Sequence, residues 1–274
     1  MTRLLLPQQP HHFLSDTLGD VIGTASSDSA KLGMDFTPLA EITVLKSIGA
    51  KLVPFFKTVA IYFILFIPVD RPSYFASIIK CLPIISLIGF VLLHRLSLNN
   101  QCPSSQKILF GLIFSCIGDA FLVWPDCFVH GMAAFAVAHI FYISALGFAP
   151  LNIGTGLILY LLNSLVTMIL IPGLSGSLLI GVPVYSFILV TMTWRAIAQF
   201  PFHEEIRSWA QICTCIGGIL FMISDFLIAL HYFYKPIAYS QAIIMSTYYV
   251  AQFGITLKVV DSRSQYCAIE SKLD

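Results

Sequence analysis

Eight apolar stretches follow one another from residue 50 to residue 258, each near the ~20 residues that a helix needs to cross a bilayer. Their limits read as 50–67, 74–94, 107–124, 127–147, 151–171, 177–198, 209–232 and 237–258. Inside hydrocarbon every backbone N–H and C=O must find a partner within the protein, so only helices or closed barrels span. A barrel would need shorter segments of alternating polarity. The chain is therefore expected to be an all-α polytopic membrane protein of about eight transmembrane helices. Charged residues make up 11% of the chain and hydrophobic ones 57%, whereas a soluble domain carries about a quarter charged. A net charge of +1 gives no footing for a nucleic-acid partner held by bulk electrostatics. The third and fourth spans are separated by little, so counts of seven or nine stay open.

Residues 1–46 are rich in Ser, Thr, Asp, Pro and Gly, and their apolar patch Leu4–Leu6 stops at Pro7, too short for a signal-peptide core. They read as a disordered or loosely attached tail. Residues 47–260 form the transmembrane domain, and 261–274 a second tail. Turn-forming sequences such as Pro68-Val-Asp-Arg-Pro72, Trp124-Pro-Asp126 and Pro172-Gly-Leu-Ser-Gly176 link the spans. Lys46, Lys51, Arg95, Lys107, Arg195, Arg207, Lys258 and Arg263 collect on one side, Arg71 and Lys235 on the other. The positive-inside rule then places both termini in the cytosol.

The third span, Gly111–Leu122 (GLIFSCIGDAFL), carries a carboxylate well inside its apolar run. An ionised Asp near a bilayer centre costs on the order of 3 kcal/mol on the gentlest scale, so such a residue faces a protein interior and marks a candidate site. The phrase returns in the seventh span as Gly217–Ile228 (GGILFMISDFLI). With Asp119 aligned on Asp225, Gly111 falls on Gly217, Ala136 on Ala242, Tyr142 on Tyr248 and Ala145 on Ala251. Two readings stand side by side: chance likeness among Leu/Ile/Phe-rich segments, and two parallel four-helix repeats. In the second, an axis along the membrane normal brings the two aspartates toward one another.

Other polar residues are candidates to line the same space. Lys80, inside the second span, either snorkels to the headgroups or pairs with one of the aspartates or a phosphate. Lys57 lies nearer the cytosolic end, where snorkelling accounts for it. His139 and Tyr142 share a helix face with Phe135. Gln241, Met245, Tyr248 and Gln252 form a stripe on the eighth span that is expected to face the site. The stripe Gly156, Tyr160, Asn163 and Thr167 on the fifth is expected to serve helix packing. Pro83 and Pro183 are expected to kink their helices. Cys81, Cys116, Cys213 and Cys215 lie in apolar runs as small hydrophobes, and neither a disulfide framework nor a zinc site is expected.

Taken as an ordered set, Lys80-Cys-Leu-Pro83, Gly118-Asp-Ala120, Ala138-His-Ile-Phe-Tyr142, Ser224-Asp225 and Tyr248-Tyr-Val-Ala-Gln252 resemble the YhhN family of membrane proteins, whose animal branch is the lysoplasmalogenases. The resemblance runs from about residue 46 to 260. It implies a membrane-embedded hydrolase that cleaves the vinyl ether bond of lysoplasmalogens to a fatty aldehyde and glycerophosphocholine or glycerophosphoethanolamine. It also implies residence in the endoplasmic reticulum membrane and a lysophospholipid as partner, while acid hydrolysis of a vinyl ether itself requires no metal and no cofactor is expected. The family's acidic site carries over onto Asp119 and Asp225 as catalytic residues, with Lys80, His139, Tyr142, Tyr248 and Gln252 binding or orienting the substrate.

The chemistry suits those residues. Vinyl ethers are hydrolysed by acid: a proton goes to the carbon β to oxygen, water attacks the resulting oxocarbenium ion, and the hemiacetal collapses. Two carboxyl groups sharing one poorly solvated pocket can supply both the proton and the facing anion, as in glycosidases. Three rivals remain open on the residues alone. A transporter or proton-coupled carrier would use the same aspartates. A metal-dependent lipid hydrolase would draw on His94, His130, His139, His203 or His231, which lie at scattered depths. A receptor or scaffold would need no chemistry.

Overall fold

The computed structural model of the chain describes residues 37–66, 72–98, 103–200 and 209–260. Eight long helices occupy them: α1 (Thr37–Leu65), α2 (Tyr74–Leu98), α3 (Pro103–Phe121), α4 (Phe128–Leu146), α5 (Ile153–Leu170), α6 (Leu178–Ala198), α7 (Trp209–Phe233) and α8 (Ser240–Thr256). Short 3-10 turns follow α3, α5 and α8, and no strand occurs among the described residues. Seven of these segments are long and apolar enough to cross a membrane. The eighth helix, α3, opens on the polar run Pro103-Ser-Ser-Gln-Lys107 and carries Asp119 near its other end. The chain is an integral membrane protein with an all-α polytopic fold, as its apolar spans require.

The limits agree with the sequence expectation to within a few residues, with one difference. Helix α1 starts at Thr37, inside the stretch read as a tail. The linker Pro68–Arg71, the residues His203 and Arg207, Arg263, and most of both tails lie outside the described residues. Between α3 and α4 the chain turns at Trp124, whose side chain meets Tyr74 with ring centroids 5.5 Å apart, and passes through the 3-10 turn Pro125–Cys127. Two separate helices thus occupy the region where the count was open.

Within residues 51–260 the helices pack in a closed order, α2 on α3, α3 on α4, α4 on α6, α6 on α7, α7 on α8 and α8 back on α2. The most intimate pairs are α3 with α4 and α7 with α8, which correspond to one another when Asp119 is set on Asp225. Small residues allow the approach, since side chains at these contacts would hold the backbones apart. A Cβ on Gly217 would stand 2.8 Å from the carbonyl oxygen of Ala251, and one on Gly254 would collide with that of Cys213. At Gly111 a Cβ would run into the ring of Tyr142. Helix α5 stands outside the ring against α6, where Tyr160 and Thr191 share a hydrogen bond of 2.7 Å and Asn163 donates to Ser186 at 3.3 Å. Its polar stripe serves packing, as expected.

Arg195 departs from expectation. It was counted among the charges flanking the spans, yet it is fully buried on α6. Its Nε donates to the carbonyl of Gly147 (2.6 Å) and its Nη1 to that of Pro150 (2.8 Å). Trp194 Nε1 donates to the carbonyl of Asn152 at 2.9 Å, and Gln199 donates to that of Leu146. Together they clamp the α4–α5 connection. That connection leaves α4 through Gly147 in a left-handed conformation (φ 72°). The carbonyls at this helix end are thereby satisfied by side chains of a neighbouring helix.

Candidate active site

A cavity of about 410 Å³ lies inside the helix ring. Asp119 from α3 and Asp225 from α7 both line it, together with Lys80 from α2, Tyr185 from α6 and Tyr248 from α8. The cavity extends to the ends of α3 and α7 and the start of α8, where Val123, His231 and Ser240 border it. The two carboxylates belong to one hollow, but each is held by its own partners.

Asp119 is buried. Its Oδ1 stands 3.6 Å from Lys80 Nζ, and its Oδ2 accepts a 2.5 Å hydrogen bond from the Tyr248 hydroxyl. Of the two roles open to Lys80, the structure therefore has it paired with a carboxylate. With the Tyr248 proton committed to Asp119, the Tyr248 oxygen accepts from Gln252 Nε2 at 3.2 Å. Gln252 Oε1 in turn accepts from the Tyr142 hydroxyl at 2.8 Å, and Tyr142 oxygen lies 3.3 Å from Ser115 Oγ. Donors thus run in one direction, from Ser115 through Tyr142, Gln252 and Tyr248 to Asp119. Such a chain fixes each hydroxyl rotor and aims its dipoles at the carboxylate. The 2.5 Å bond falls in the range of charge-assisted O–H···O⁻ contacts.

Asp225 is served from the other side. Its Oδ2 accepts from the Tyr185 hydroxyl and lies 3.7 Å from His139 Nε2. His139 Nε2 is also 3.1 Å from the Tyr185 oxygen, and since the hydroxyl proton points at Asp225, the imidazole is the donor in that contact. His139 Nδ1 is buried without a hydrogen-bond partner among the described residues. The ring is held edge-on by Phe221, with centroids 4.6 Å apart. Phe135, one turn before His139, packs edge-on against both Phe221 and Tyr248 and so forms part of the same wall.

The structure gathers Asp119, Asp225, Lys80, His139, Tyr142, Tyr248 and Gln252 into these two groups, joined by hydrogen bonds and ion pairs. Met245 and Gln241 of the same α8 stripe line the cavity, and Gln241 Nε2 donates to the Tyr62 hydroxyl at 3.2 Å. Sequence reasoning did not single out Tyr185 or Ser115. Tyr185 has no counterpart under the repeat, because the equivalent position on α2 is Ile79. Its one local signal is a hydroxyl two residues after Pro183 in an otherwise apolar face. Pro83 and Pro183 both lie inside their helices, α2 and α6. Among the described residues no three His, Cys, Asp or Glu side chains stand together as a metal-ligand set. His94 stacks on Phe90 away from the cavity, and Cys81 Sγ donates to the carbonyl of Cys116 at 3.5 Å.

The model of the YhhN family matches residues 75–259, from the start of α2 to the turn after α8. The chain belongs to the YhhN family. Lysoplasmalogenase TMEM86A from Bos taurus is 46% identical over 227 residues, covering 82% of this chain and 95% of that relative. The Homo sapiens protein of the same name is 45% identical over the same shares. Lysoplasmalogenase TMEM86B from Sus scrofa is 37% identical over 78% of this chain and 88% of its own length. No solved structure matches the chain. The residues quoted above for their resemblance fall within the matched region; of them Lys80, Asp119, Ser224, Asp225 and Tyr248 line the cavity, and His139, Tyr142 and Gln252 bond or pair with groups at it, directly or through one another.

Proposed function

We propose that this member of the YhhN family hydrolyses the vinyl ether bond of lysoplasmalogens, releasing a fatty aldehyde and a glycerophosphocholine or glycerophosphoethanolamine. The reading rests first on the relatives of nearly full-length coverage that carry the name lysoplasmalogenase. The observation that carries the mechanism is that two carboxyl groups with unlike partners line one cavity.

The division of labour follows from those partners. Asp119, charge-balanced by Lys80 and fed by the donor chain ending at Tyr248, faces the cation that develops on the vinylic carbon bonded to oxygen. Asp225, linked to His139 through Tyr185, delivers the proton to the carbon β to that oxygen. Water then adds to the oxocarbenium carbon and gives up a proton to Asp119. The hemiacetal collapses by breaking its bond to the glycerol oxygen: its hydroxyl returns a proton to Asp225, and Asp119 passes the proton taken from water to the glycerol oxygen, which leaves as the alcohol. The net change is addition of one water, with both carboxyl groups returned to their starting state.

Carbon protonation has an isotopic signature. Purified protein in detergent, turned over in D2O, is expected to yield aldehyde carrying one deuterium on the carbon next to the carbonyl. Aldehyde released without that label would refute protonation at carbon. We further propose that the protein resides in the endoplasmic reticulum membrane with both termini in the cytosol, on the balance of Lys and Arg at the span ends. Under that orientation the cavity end bordered by Val123, His231 and Ser240 faces the lumen. Epitope tags at both termini should be digested by protease in intact microsomes, and protection of either would reverse the assignment.

A further inference from the structure

A second cavity, of about 300 Å³, lies outside the helix ring between α5, α6 and α7. Its own walls are hydrocarbon, notably Leu159, Leu162, Val166, Leu189, Met222 and Phe226. The polar groups Asn163 and Ser186 along it are bonded to each other. The groove shares a wall with the main cavity, made by Val182, Tyr185, Asp225 and Ala229, which border both spaces. Leu162, Ile223 and Phe226 are exposed at 55%, 37% and 38%, so its outer side is open to the bilayer.

A lysoplasmalogen changes from polar to apolar at the bond that is broken: the glycerophosphate lies on the oxygen side of the vinyl ether, the alkyl chain on the carbon side. The two spaces have the same sequence of polarity. Among its apolar side chains the main cavity carries the polar groups Tyr62, Lys80, Ser224, His231 and Gln241, the groove is hydrocarbon apart from Asn163, Ser186 and Thr167, and Asp225 borders both. We propose that the α5–α6–α7 groove is the tail subsite, which takes the alkyl chain while the head occupies the main cavity and the vinyl ether lies against the Asp225 wall. The inference rests on the lysoplasmalogenase reading. In a bilayer, moving a chain from lipid into this groove removes no apolar surface from water, so the groove contributes alignment more than affinity. A tail longer than the groove continues into the lipid through its open side, and the aldehyde leaves by the same path.

The test has two arms. In the first, Val166→Trp fills the groove, and kcat/KM is compared for hexadecenyl and butenyl lysoplasmalogens in detergent. The long-to-short ratio should fall by roughly tenfold or more relative to the unsubstituted protein. An unchanged ratio overturns the tail subsite. In the second, the unsubstituted protein is photolabelled with a non-hydrolysable alkyl-ether lysophosphocholine bearing a diazirine near the chain terminus. Label is expected on α5 and α7 peptides containing Leu162, Val166 or Phe226. Label confined to α2 and α8 overturns the proposal and does not depend on turnover or on how the variant folds. If the unsubstituted protein releases no aldehyde from either lysoplasmalogen, the activity reading itself fails, whichever helices are labelled.

Discussion

Tyr185 and Tyr248 do the same thing for different carboxylates, and they show how far a sequence discloses a buried site. Each hydroxyl donates to an aspartate Oδ2. Tyr248 is legible because it sits in a polar stripe on an apolar helix and aligns with Tyr142. Tyr185 is not, because its partner is brought from α7 by packing, and no spacing within α6 announces it. Lys80 was ambiguous for a related reason. Snorkelling and pairing differ only in where the long side chain turns, which depends on the neighbour that packing supplies. Removing one charge-assisted bond costs about 1.5–3 kcal/mol, so Tyr248→Phe and Tyr185→Phe should each lower kcat by roughly ten- to a hundredfold. Steady-state aldehyde release from the purified variants checks this, and unchanged kcat in both would remove the tyrosines from the account. Lys80→Met leaves Asp119 without its cation and should lower kcat more than it raises KM. A change in KM alone would make Lys80 a headgroup ligand instead.

At the scale of helices, the eight elements were readable because an apolar run in lipid has almost no choice but to coil. Their partners were not readable, since helix pairing in lipid depends on close fit at small residues rather than on hydrophobicity. Gly217 illustrates this: its likeness to Gly111 was visible, but not that it lies against the backbone of α8. Gly217→Ala should force α7 and α8 apart at a cost of about 1–3 kcal/mol, seen as a lower melting temperature in detergent. The start of α1 at Thr37 was hidden by a Ser-, Thr- and Pro-rich composition that resembles a tail. Arg195 was misread because charge near a span end normally faces headgroups; here it replaces water as the donor to an interhelical turn. Arg195→Leu should strip donors from the Gly147 and Pro150 carbonyls and lower the melting temperature further, at about 1–3 kcal/mol for each carbonyl left bare. A melting temperature equal to that of the unsubstituted protein would show the clamp to be dispensable.

For the whole molecule, the closed order of six helices around one cavity is what makes intramembrane carboxyl groups affordable. The aspartates of α3 and α7 are expensive in hydrocarbon, and the ring supplies each with donors from two other helices. Their shared cavity could be anticipated from a repeated phrase. The separation into a Lys80–Tyr248 group and a His139–Tyr185 group could not, because it depends on which side of the ring each helix approaches. The most direct measurement is aldehyde release from purified Asp119→Asn and Asp225→Asn, each confirmed as folded by a cooperative melt in detergent. Positioned acid–base groups contribute about 10²–10⁴ in rate, so each variant is expected to fall by at least a hundredfold. Turnover near that of the unsubstituted protein in either variant would contradict the paired-carboxylate mechanism.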